Sequence, residues 1–85
     1  GFRMATMLER EWLVEIRVRD SVNLPPGQSR IAAYEEVLAN NEISARYKAF
    51  DQFERRCRYE PIARRKLLSG GRKVADYCAP DAVEI

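Results

Sequence analysis

The sequence predicts a small, α-rich α+β domain with one N-terminal strand and helices behind it. Three observations carry that expectation. From Glu11 to Arg19 apolar and polar residues alternate, which is the two-residue period of a half-buried strand. From Ile43 to Tyr59 apolar residues recur every three or four positions, which is the period of an amphipathic helix. The chain has 85 residues, of which 46% are apolar and 33% charged. That is enough for one globular domain, 1–85, and not for two.

The strand is expected over about 11–19. Trp12, Val14, Ile16 and Val18 form its inward face, and three of the four are β-branched, which suits a pleated surface. Glu15, Arg17 and Arg19 fall on the outward face. A lone strand leaves its backbone donors and acceptors unpaired. The other candidates, 21–24, 72–75 and 82–85, are weak. The expectation is therefore an orphan strand that pairs with a second copy or with a target's sheet edge.

The segment Asn23–Ser29, NLPPGQS, is a loop, because two prolines and a glycine break any regular element. Ser29 suits the N-cap of a helix over about 30–39, whose apolar face would be Ile31, Tyr34, Val37 and Leu38. Asn40 and Asn41 end it. The second helix, about 43–60, follows at once, so the two are expected to fold back as a helical hairpin. Its core stripe reads Ile43, Tyr47, Phe50, Phe53 and Cys57. Acid-before-base pairs four apart, such as Asp51–Arg55 and Glu54–Arg58, each add about 0.2–0.5 kcal/mol.

Pro61 has no N–H to donate and clashes with the preceding turn, so it ends this helix. It can also open a short third one, about 61–69, anchored by Ile62, Leu67 and Leu68 and stopped by Ser69-Gly70-Gly71. Residues 1–8 read as a flexible or tagged arm and 79–85 as an acidic tail.

Several chemistries are disfavoured. There is no histidine, so the commonest general base and zinc ligand is missing. Glu35 and Glu36 are adjacent and would diverge on a helix. The GGRK segment at 70–73 lacks the spacing of a phosphate-binding loop. Two cysteines, Cys57 and Cys78, make no disulfide framework and favour a reducing intracellular compartment. Arg56 and Arg58 flank Cys57 in sequence, but helical neighbours point about 100° apart. No apolar run has membrane-spanning length. The expectation is a non-enzyme without metal or cofactor.

The net charge of +2 conceals an uneven layout. Residues 55–73 hold eight bases against Glu60 alone. Arg55, Arg58, Arg64, Arg65, Lys66, Arg72 and Lys73 are the candidates for an anionic partner surface. Together these features point to a non-catalytic protein-interaction module, an accessory, adaptor or inhibitor subunit. It would dock on a larger protein or assembly with an acidic surface, through the N-terminal strand and the arginine-rich helical face. A homodimer and nucleic acid remain alternative partners. The order strand, helix, helix over residues 11–59 resembles the ribbon–helix–helix DNA-binding homodimers. That resemblance implies that two strands pair across a dimer and that Glu15, Arg17 and Arg19 face the major groove. The ten-residue connection from Asp20 to Ser29 and the basic segment after the second helix depart from that pattern.

Overall fold

A computed structural model describes residues 8–85. The element order is β1 (Arg10–Val18), β2 (Ile31–Ala39), α1 (Glu42–Tyr59), α2 (Pro61–Leu67), β3 (Tyr77–Cys78) and β4 (Ala82–Glu84), with 3-10 turns at Ser69–Gly71 and Val74–Asp76. The fold is an α+β domain in which a four-stranded antiparallel sheet is prominent and two helices accompany it. This corrects the α-rich expectation with one strand. Of the expected arm, residues 1–7 lie outside the described ones.

The decisive difference is at 31–39, which is a strand and not the first half of a helical hairpin. β2 pairs antiparallel with β1 from Arg10↔Ala39 to Arg17↔Ile31, with an irregularity at Ile16/Arg17. Its sequence, IAAYEEVLA, favours helix locally. The ladder overrides that weak preference, because β1 cannot be buried with its backbone groups unpaired. β3 and β4 take the other side of β1, pairing at Arg17↔Cys78 and Leu13↔Val83. The residues between them include Pro80, which has no N–H to give a ladder. β1 is therefore central and not an orphan, and the acidic end of the chain is part of the sheet.

The inward face of β1 is as expected: Trp12, Val14, Ile16 and Val18 are all buried. α1 lies across them. Asn41 caps it through a 2.9 Å bond from the Ser44 N–H to Oδ1. Its buried residues are Ala45, Ala49, Phe53 and Cys57. The expected stripe is thus rotated, with Ile43 and Tyr47 exposed and Phe50 half-buried. Small alanines let the helix backbone approach the sheet, where larger side chains would hold it off. Phe53 sits with its ring centroid 5.1 Å from that of Tyr77 on β3.

Pro61 opens α2 as its first residue. Leu67 is buried and Leu68 half-buried, but Ile62 is exposed. The Arg64 guanidinium donates to the Cys57 carbonyl at 2.8 Å and to that of Arg58 at 2.6 Å, satisfying two acceptors at the end of α1. The Tyr77 hydroxyl donates to the Leu67 carbonyl and accepts from Arg72 Nε. This buried knot ties α2 to β3.

Candidate interaction surfaces

Register partners share a face of the sheet. On the helix side, Val14 stands beside Glu35, the one buried charged residue among those described, at 2% exposure. Its carboxylate accepts from Arg56 at 2.5 Å and from Gln52 at 2.7 Å. Every buried polar side-chain atom among the described residues has such a partner.

No described element covers the opposite face. By register it carries Leu13, Glu15, Tyr34, Glu36 and Val83. Leu38 lies on it opposite Glu11, and the Ile85 N–H donates to the Glu11 carbonyl. Tyr34 is 54% exposed, Leu38 53%, Val83 65% and Ile85 67%. A hollow of about 330 Å³ opens here between Leu13, Glu15, Tyr34, Pro80 and Val83. Exposed apolar side chains thus gather on one face, interleaved with Glu11, Glu15 and Glu36.

The arginine-rich block does not form one free face. Arg55 pairs with Asp51 at 2.5 Å and Arg58 with Glu54 at 3.1 Å. Arg64 and Arg72 are held by the backbone and hydroxyl acceptors described above. Arg65, Lys66 and Lys73 are exposed, and none of the six ion pairs among the described residues includes them. On β1, Glu15 and Arg17 pair with each other at 3.1 Å across the open face. Arg19 lies beyond the strand and donates to the Ala75 carbonyl at 3.0 Å. The strand-pairing role expected of β1 is not available to it, since both its edges are occupied. The strand–helix–helix layout behind the ribbon–helix–helix resemblance is likewise absent, because its first helix is β2.

Among the described residues, the free edge belongs to β2. The N–H of Arg19 and the carbonyl of Glu11 bond toward the β3–β4 side, so odd residues of β1 turn that way and even ones turn to β2. Their partners Ala33, Glu35 and Val37 bond inward. Tyr34, Glu36 and Leu38 therefore point their backbone groups outward. Lys48 Nζ caps the Leu38 carbonyl at 2.8 Å, and Ser29 Oγ accepts from the Ile31 N–H at 3.1 Å. Beside this edge runs a groove of about 660 Å³, whose walls include Glu36, Val37, Lys48, Arg55 and Tyr59.

The sequence pattern does not mark Tyr34, Glu36, Leu38, Val83 and Ile85 as residues of one surface. Leu13, the one apolar residue out of phase in β1, was the available signal for an apolar second face.

Among the described residues no cluster of His, Cys, Asp and Glu could hold a metal ion, and no helix is long and apolar enough to cross a membrane. Both cysteines are free. Burial pushes the Cys57 thiol above its ordinary value, against a smaller opposing pull from Arg56. It therefore stays a thiol at neutral pH, which makes it a poor nucleophile. No known protein family, curated protein or solved structure matches the chain.

Proposed function

We propose that the chain is a non-catalytic protein-interaction module, an accessory, adaptor or inhibitor subunit that docks on a larger protein. The observation that carries this reading is the uncovered sheet face. A two-layer domain normally buries its large apolar side chains between the layers. Here Tyr34, Leu38, Val83 and Ile85 stand on the outside instead. The N-terminal strand takes part through the outward side chain of Leu13, not through its edge. Arg65, Lys66 and Lys73 add a separate cationic contact for an acidic patch on the same partner.

The test is photo-crosslinking in extracts of the cell that makes the chain, with the reactive group at position 83 and, as a control, at position 28. The reading expects a discrete protein adduct from position 83 that disappears when Leu38→Asp is added. Equal labelling from both positions, or adducts to nucleic acid alone, would overturn it.

A further inference from the structure

We infer that the outer edge of β2 is a pairing site for a second copy of this chain. The two copies join antiparallel about a two-fold axis beside Glu35, making one continuous sheet. This goes beyond the docking proposed above and leaves the open face uncovered.

The backbone supplies the first argument. The outward groups of Tyr34 and Glu36 have no partner among the described residues, while Leu38 and Ile31 are capped at either end. The caps confine pairing to the middle of the strand and so resist a slip of register. About an axis at Glu35, Tyr34 faces Glu36 of the second copy. Each such pair then exchanges both its backbone hydrogen bonds. This axis sets Glu35 against its own copy, but Arg56 and Gln52 hold each of those carboxylates. An axis one residue later would set Glu36 directly against its own copy, and no ion pair among the described residues includes Glu36, so that repulsion would stand.

The helix supplies an independent argument. The flank of α1 and its C-cap that line the groove carry Lys48, Asp51, Arg55 and Glu60 in that order. Reversed against itself, this series sets Lys48, whose Nζ also holds the Leu38 carbonyl, opposite Glu60, and the Asp51–Arg55 ion pair of one copy opposite the reversed pair of the other. The centres of these two pairings fall near residues 54 and 53. Glu35 itself touches Gln52 and Arg56, whose midpoint is residue 54. An axis at Glu35 and the axis on which the charges centre therefore coincide. A foreign peptide would need no such symmetry, whereas an isologous interface does. Each Glu35 carboxylate stays neutralised by its own Arg56 beside the axis.

Sedimentation equilibrium on the full chain over a concentration series tests this. The expected mass is twice the 9.9 kDa of the chain. Glu36→Pro deletes an N–H that serves no bond among the described residues, and an edge strand tolerates proline. That variant should sediment as a monomer with an unchanged circular dichroism spectrum. A charge series covers the case in which it does not fold. Glu60→Lys should weaken association roughly tenfold through two symmetric repulsions. Adding Lys48→Glu to that chain should restore it. A chain that stays monomeric at its highest soluble concentration would overturn the inference. So would a dimer indifferent to Glu60→Lys, or one that survives in a folded Glu36→Pro.

Discussion

β1 and β2 are both nine residues long and lie side by side, yet they hold their places by different means. β1 is clamped on both edges and buries four apolar side chains beneath α1. Among the described residues, β2 is laddered on one edge only. Its central inward residue is a glutamate, which α1 holds through Arg56 and Gln52. The central strand is fixed by apolar burial, and the edge strand by a ladder and a buried polar contact. Burial is unspecific in direction, so β1 needs only its alternation. The polar contact is directional: it sets the register of β2 against the helix and leaves the outer edge free.

The largest effect that would sharpen this contrast is in β1. Ile16→Ala should cost about 2–5 kcal/mol in denaturant unfolding, since the side chain is fully buried and leaves a cavity. Tyr34→Ala, on the exposed face of β2, should cost less than about 1 kcal/mol in the monomer. Equal costs would show that the two strands are held by the same means.

The next effect belongs to Glu35. Glu35→Ala strands Arg56 beside the core. A fully buried pair broken this way costs about 3–5 kcal/mol. The Arg56 side chain is 36% exposed, so water screens it and about 1–3 kcal/mol is expected. The double variant Glu35→Leu/Arg56→Met should recover most of that loss. A single variant with no cost would show that the polar contact does not hold β2.

Smaller still is the effect of Glu36→Thr. Threonine favours strand and disfavours helix, so the monomer should gain about 0.5 kcal/mol. A helix at 31–39 would lose stability instead. The sign decides, whatever the size.

The smallest effect is at high pH. The folded Cys57 thiol ionises above its ordinary pKa of 9.0. Its contribution is thus fully present below that value and is lost as pH rises toward the folded pKa. Stability should decline from about pH 9 upward, and Cys57→Ala should remove that part of the slope. Alkylation should reach Cys78, which is half-buried, before Cys57.

These differences also explain what could be read in the sequence. β1 was legible because Trp12, Val14, Ile16 and Val18 alternate without a break. The boundaries of α1 were legible because Asn41 and Pro61 punctuate them. β2 was not, since its alanines, glutamates and leucine satisfy a helix locally and only its neighbour makes it a strand. β3 and β4, two and three residues long, fall below any pattern. The face of α1 was misread because Ile43 and Tyr47 outweigh Ala45 and Ala49 in any hydrophobic count, although the alanines permit close packing. The basic block looked like a single site because its members adjoin in sequence. In space Arg55, Arg56 and Arg58 are matched with carboxylates, and Arg64 and Arg72 with uncharged oxygens.

The most direct test of the central claim is amide hydrogen exchange along β2, resolved residue by residue, in dilute and concentrated solution. Alternation is expected when dilute, with Ala33, Glu35 and Val37 slow and Tyr34 and Glu36 fast. Tyr34 and Glu36 should become slow on concentration as the edges pair. Uniform protection from 31 to 39 in dilute solution would contradict the edge strand. Alternation that persists unchanged at every concentration would contradict its pairing with a second copy.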